Sequence, residues 1–94
     1  MTLSVIIPTL NEAGELPETL KRARAIPEVQ EIIVVDAGST DATRAIAREH
    51  NCIVIECEPS RGKQLRLGAQ RASGDVILFL HADTWLPENA GVVI

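Results

Sequence analysis

Apolar residues in this chain come in short unbroken runs, and each run gives way to a segment where they recur every three or four positions. Residues 3–8 (Leu-Ser-Val-Ile-Ile-Pro), 31–36 (Glu-Ile-Ile-Val-Val-Asp), 52–56 (Cys-Ile-Val-Ile-Glu) and 75–80 (Asp-Val-Ile-Leu-Phe-Leu) are the runs. They are too short to span a membrane and lack the alternation of a half-exposed strand. They therefore predict strands buried on both faces, as in parallel sheets. Pro8 is expected to end the first strand, because proline cannot donate to a ladder. Helices are predicted over residues 15–25, 41–50 and 63–72. In the first, Leu16, Leu20, Ala23 and Ile26 mark one apolar face, and Pro17 sits near the first turn, where proline is tolerated. Lys21, Arg22 and Arg24 lie toward its C-terminal end, where cations suit the helix dipole. In the second, Ser39 or Thr40 is the predicted N-cap, Asp41 lies in the first turn, and Asn51 suits the C-terminal end. In the third, Leu65, Ala69 and Ala72 are predicted to face inward, and Ser73-Gly74 stops the helix. Leu86-Pro87-Glu88 reads as the start of another. The order βαβαβαβ with short loops predicts an α/β, Rossmann-like, mainly parallel sheet with helices on both faces and right-handed crossovers.

In such sheets ligands bind outside the C-terminal ends of the strands. The chemically capable residues gather there. Thr9, Asn11 and Glu12 follow the first strand, Asp36 ends the second, and His81 and Asp83 follow the fourth.

Composition bounds the function. Ninety-four residues make one domain, and the 46% hydrophobic fraction is enough for a core. The net charge of −4 and the scarcity of aromatics, Phe79 and Trp85 alone, exclude a general nucleic-acid binder. Cys52 and Cys57 have no CxxC spacing and flank an apolar run, so they read as reduced, partly buried residues. Without a signal peptide or an apolar span, a cytoplasmic protein is expected, and peripheral association with the inner face of the membrane is compatible with the sequence. The apolar ending Ala90-Gly-Val-Val-Ile94 is expected to continue into a longer protein, or to form a final edge strand.

Each candidate site residue has two readings. Asp36, before the Gly38 turn, can accept from a ribose hydroxyl or a base N–H, or it can satisfy turn amides. Asn11 and Glu12 can contact a nucleoside, or start the first helix. Arg61 and Lys63, at the start of a helix, can reach a diphosphate, aided by the helix N-terminus. Arg66 and Arg71 read as a solvated face. His81 and Asp83 are separated by one residue, so on an extended segment both can face one ion or one phosphate, or they simply end a strand in polar residues at the surface. Mg²⁺ or Mn²⁺ takes one or two carboxylates plus phosphate oxygens and water, which suits Asp83 better than His81. A zinc site lacks ligands, since the only other histidine is His50 on a predicted helix. The GxGxxG dinucleotide signature is absent.

Ser4-Val-Ile-Ile-Pro-Thr-Leu-Asn-Glu12, Ile33-Val-Val-Asp-Ala-Gly-Ser-Thr-Asp41 and Gly74-Asp-Val-Ile-Leu-Phe-Leu-His-Ala-Asp-Thr84, in this order and spacing, resemble family 2 glycosyltransferases with the GT-A fold. The resemblance implies transfer of a sugar, with inversion, from a UDP- or GDP-linked donor to an acceptor hydroxyl, assisted by a divalent metal. It implies that Thr9, Asn11, Glu12 and Asp36 hold the nucleoside, and that the region from Arg61 through Lys63 to Gln64 lies near the diphosphate. His81-Ala82-Asp83 stands where the family has its Asp-x-Asp metal motif. Ala37 replaces the second acid of the common Asp-Asp-Gly-Ser pattern, and His81 replaces the first acid of Asp-x-Asp. The family's catalytic base and acceptor-binding half come later in the chain, so these residues read as a truncated, donor-binding N-terminal part, inactive alone and open to self-association through its unpaired faces. The alternatives are a nucleotidyltransferase, which would carry a Gly-rich loop after the first strand, and a non-catalytic nucleotide-binding or assembly module.

Overall fold

The computed structural model describes residues 1–82. The elements follow in the order β1 (Leu3–Thr9), α1 (Leu16–Arg24), β2 (Val29–Asp36), α2 (Thr43–Glu49), β3 (Ile53–Glu56), α3 (Arg61–Arg71) and β4 (Val76–Phe79). The four strands form one sheet in the order β3-β2-β1-β4, with all pairings parallel. The fold is the α/β, Rossmann-like arrangement predicted. The predicted helix start at Leu86 and the ending at Ile94 lie outside the described residues.

Side-chain alternation along β1 divides the core. Val5 and Ile7 point to the face covered by α1 and α2, where Leu16, Leu20, Ala23 and Ala47 complete a fully buried layer with Ile32 and Val34. Ile6 points to the opposite face with Ile33 and Val35, and there α3 packs through Leu67, Ala69 and Ala72. The apolar runs are continuous because both faces are covered.

Three local predictions need correction. First, β1 does not stop at Pro8. It continues through Pro8 to Thr9 on the β2 side, where Pro8 pairs with Val35 and Thr9 with Asp36. Proline ends only the β4 side. There the register runs to Ile6 opposite Phe79, and Leu80 N donates to Ile6 O at 2.9 Å. Even-numbered residues of β1 serve β4, so the next rung would need an N–H from residue 8, which proline lacks. Second, neither Ser39 nor Thr40 caps α2. Its N-cap is Ala42, without a side-chain bond, and Asp41 takes the capping role, its Oδ1 accepting from Thr43 N at 2.9 Å. Third, the seam of α3 is Gln64 and Gly68 rather than Leu65, which is only half-buried. A Cβ at Gly68 would fall inside van der Waals contact of Ile6 Cγ2 and lie 3.2 Å from Val35 Cγ2, so the absence of a side chain lets α3 lie close on the sheet.

Asn51 ends α2 with φ of 60°, as its placement predicted. Cys52 and Cys57 are free and half-buried, and burial pushes both thiols up from their ordinary pKa. Among the described residues no helix is long and apolar enough to cross a membrane.

Candidate functional site

The turn after β2 is built around Asp36, whose side chain is fully buried. Its Oδ1 accepts from Thr9 Oγ1 at 2.7 Å and from Ser39 Oγ at 2.5 Å. Its Oδ2 accepts from Ser39 N at 2.8 Å and Gly38 N at 3.1 Å. Gly38 has φ of +93°, a backbone state that glycine supplies without strain. Of the two readings for Asp36, the turn-amide one describes the contacts its carboxylate makes. Thr9 is 1% exposed and spends its hydroxyl on the same carboxylate.

The loop after β1 is laced to this turn. Asn11 adopts φ of 54°, its N–H donates to Ser39 Oγ at 2.8 Å, and its Oδ1 accepts from Thr40 N at 2.7 Å. Glu12 N donates to Thr43 Oγ1 at 2.9 Å, and Ala13 N to Asp41 Oδ2 at 3.2 Å. Asn11 therefore does not cap α1, which starts without a side-chain cap; the Glu12 carbonyl accepts from Glu15 N and Leu16 N. Three consecutive loop amides are bonded to three side chains of the neighbouring turn. The pair of loops is thus one cross-linked surface at the carboxyl edge of β1 and β2.

Helix α3 brings the basic residues. Ser60 caps it, its Oγ accepting from Lys63 N at 3.3 Å. Arg61 Nη1 lies 2.6 Å from His81 Nδ1 and 3.3 Å from its Nε2, so the guanidinium sits against the imidazole ring. Lys63 Nζ lies 3.3 Å from Glu58 Oε1, and both are exposed enough that this pair is weak. Gln64 is 5% exposed, and its Nε2 donates to Thr9 O at 3.2 Å and Val35 O at 2.9 Å. Arg61, His81, Pro8, Leu65, Phe79 and Leu80 line a cleft of about 140 Å³ where β1 and β4 part.

The sequence argument that His81 and Asp83 face one ion relied on an extended segment. β4 itself ends at Phe79, and Ala82 lies in a turn. The exposed His81 ring lies against the Arg61 guanidinium. Asp83 lies outside the described residues. Among the described residues no group of three His, Cys, Asp or Glu side chains could hold a metal.

Sequence reasoning missed Ser39, Thr40 and Thr43 as the loop-crossing partners. Their signal was the run of hydroxyl residues opposite Asn11, readable only once the two loops are known to be neighbours.

Acid should undo this edge. Burial alone would raise the pKa of Asp36, but hydrogen bonds from Ser39, Thr9 and Gly38 outweigh it and hold it below the ordinary value. Hydrogen bonds from Thr43 lower Asp41 as well. Groups depressed on folding contribute stability that is complete above the unfolded carboxylate value of about 3.9 and is lost as pH falls through the folded value. Urea unfolding midpoints should stay level from about pH 7 to 5 and fall steeply below about pH 4. A midpoint held to about pH 3 would contradict these bonded carboxylates.

The sequence pattern described as Glycosyl transferase family 2 matches residues 4–90. Glucosyl-3-phosphoglycerate synthase of Mycobacterium tuberculosis (strain ATCC 25618 / H37Rv) is 30% identical over 93 residues, covering 87% of this chain and 29% of that protein. Among solved structures, Staphylococcus aureus TarS 1-349 superposes with a TM-score of 0.82 at 31% identity, covering 95% of this chain and 29% of that one. The Mycobacterium tuberculosis synthase in complex with Mn²⁺, uridine diphosphate and glucosyl-3-phosphoglycerate superposes with a TM-score of 0.72 at 30% identity, over 86% of this chain and 33% of that one. The chain thus spans about a third or less of the length of these relatives. With the parallel sheet, the loop-bearing carboxyl edge and a family pattern over nearly all its length, the chain belongs to glycosyl transferase family 2, with the GT-A fold.

Proposed function

We propose that the protein transfers a sugar, with inversion, from a nucleoside-diphosphate donor to an acceptor hydroxyl, and that these residues supply the donor-binding part. The observation that carries this reading is that the laced loops and the Arg61–His81 pair lie along one carboxyl edge of the sheet, the loops after β1 and β2 and the pair at the junction of β1 and β4. The chain order reverses there, since β2 and β3 lie to one side of β1 and β4 to the other; such a switch point is where open α/β sheets bind ligands.

In this reading the surface of the loop pair, exposed Asn11 and Thr40 with half-buried Glu12, meets the nucleoside. Asp36 and Thr9 lie beneath it and hold its shape. Arg61 faces the diphosphate, with Lys63 and the capped N-terminus of α3 adding positive potential. Charge builds on the departing diphosphate, so a guanidinium already held at the crevice lowers the barrier without reorganising. Mg²⁺ or Mn²⁺, taken by Asp83 and donor phosphate oxygens, would supply further countercharge. His81 serves Arg61 rather than the ion. The base that accepts the acceptor's proton belongs to a later part of the protein, and a polypeptide of these residues alone binds nucleotide without turnover.

A nucleotidyltransferase is disfavoured on a specific ground. The amides of Asn11, Glu12 and Ala13 are already bonded to side chains, so the first loop offers no backbone cradle for phosphates. Titration calorimetry with UDP and GDP, with and without Mn²⁺, tests the proposal. Binding should strengthen with Mn²⁺ and lose that dependence in Asp83→Ala. Absence of binding to either nucleotide under both conditions would sink it and favour a non-catalytic assembly module.

A further inference from the structure

We propose that Gln64 is a positioning residue: its buried amide fixes the first turn of α3 to the carboxyl ends of β1 and β2, and thereby holds Arg61 at the crevice between β1 and β4. The inference rests on the donor-site reading above for what Arg61 does there, but not for how Arg61 is held.

A primary amide in an otherwise apolar helix–sheet interface costs desolvation unless its N–H groups find acceptors. Here one Nε2 bonds two carbonyls on two different strands, Thr9 O and Val35 O. Thr9 O also accepts from Ala37 N at 3.0 Å, so the amide ties into the point where the first loop and the second turn join. A hydrocarbon of the same length would fill the space. It would not fix the helix along the sheet, because dispersion is non-directional. Two bonds to adjacent strands set both the height and the axial position of the turn. Gly68, one turn further on, removes the side chain that would otherwise hold the helix off, so Gln64 can reach. Arg61 lies three residues before Gln64, on the adjoining part of the same helical face. Its guanidinium then meets His81 Nδ1 at 2.6 Å.

The full chain is compared with Gln64→Met, which keeps length and loses the donors, and with Arg61→Ala. Two readouts are needed. The ¹⁵N shifts of the His81 ring, taken without ligand at one fixed pH, report whether the Arg61 guanidinium lies against the ring. In Gln64→Met they should move toward the values of Arg61→Ala. Calorimetry with UDP and with uridine then separates diphosphate from nucleoside contacts. Gln64→Met should bind UDP about tenfold more weakly, the scale of one charge-assisted hydrogen bond, with uridine affinity unchanged. The double variant should lose no more than Arg61→Ala alone. If Gln64→Met does not fold, Gln64→Asn, whose amide is one carbon short of both carbonyls, should give the same selective loss. Unchanged His81 shifts, equal losses for UDP and uridine, or additive losses in the double variant would each overturn the assignment. Should the parent chain bind neither UDP nor GDP, the donor-site reading falls, and the His81 shifts still decide the role of Gln64.

Discussion

Asp36→Ala should lower stability by about 3–5 kcal/mol, a large fraction of the total for a domain of this size. The substitution strands three buried groups at once: the Thr9 hydroxyl, the Ser39 hydroxyl and the Ser39 amide. Each such group costs about 1–3 kcal/mol when left without a partner, and the sum is reduced by whatever water can reach the new space. Arg44, whose Nε lies 3.8 Å from Oδ2, loses its buried countercharge but keeps Glu56, whose Oε1 lies 2.6 Å from Nη1. Asp36→Asn should cost less, about 1–2 kcal/mol. Its amide can face the two hydroxyls, which rotate to accept, while its oxygen keeps the backbone amides of Gly38 and Ser39. Urea unfolding of the three proteins checks the order. Nucleotide affinity should fall in the same order, because the loop surface rests on this carboxylate. An Asp36→Ala protein as stable as its parent would show that the network carries no net stabilisation.

Gly68→Val should be the next most damaging change, at about 3 kcal/mol, and Gly68→Ala milder, at about 1–2 kcal/mol. The new Cβ meets Ile6, which is fully buried, branched at Cβ and fixed in the middle of the central strand. It cannot swing away, so the helix must rise. Alanine recovers about 1 kcal/mol of helix propensity over glycine, whereas valine, being branched, recovers less. Lifting α3 also stretches the Gln64 bonds, so weakened UDP binding should accompany the loss of stability. Thermal melts and calorimetry on the same samples test both. A Gly68→Ala protein more stable than its parent would mean that the interface relaxes at little cost.

The alternation of strands and helices, the parallel sheet and the two-sided core were legible in the sequence because continuous apolar runs alternating with periodic segments leave few alternatives; the order of the strands in the sheet was not. Asp36 and His81 were picked out because they fall at one edge, and Arg61 because it opens a basic helix; the structure places all three at the carboxyl edge of the sheet. Their partners were not legible. Gln64 carries a polar side chain into an apolar interface, against the pattern that pointed to Leu65, Ala69 and Ala72. Only the position of two strand carbonyls explains it. Ser39 was expected at a helix start, yet it lies between Asp36 and Asn11, because the competing acceptor was a carboxylate already buried beside it. The pairing of His81 with Arg61 joins residues twenty positions apart, on a strand end and a helix start, which no local spacing encodes.

Pro8 gives the crevice an unusual origin. Most clefts are kept open by bulk, which a neighbouring side chain can relax around. Here a hydrogen atom is missing from the one backbone nitrogen that would have joined β1 to β4 at that level. No rotamer change or side-chain repacking can restore that bond, so the separation is a covalent property of the chain rather than a balance of contacts. The same residue keeps its carbonyl and its β2 pairing, so the fork carries no penalty in the sheet's other half. A site opened in this way resists mutational drift at every surrounding position except one.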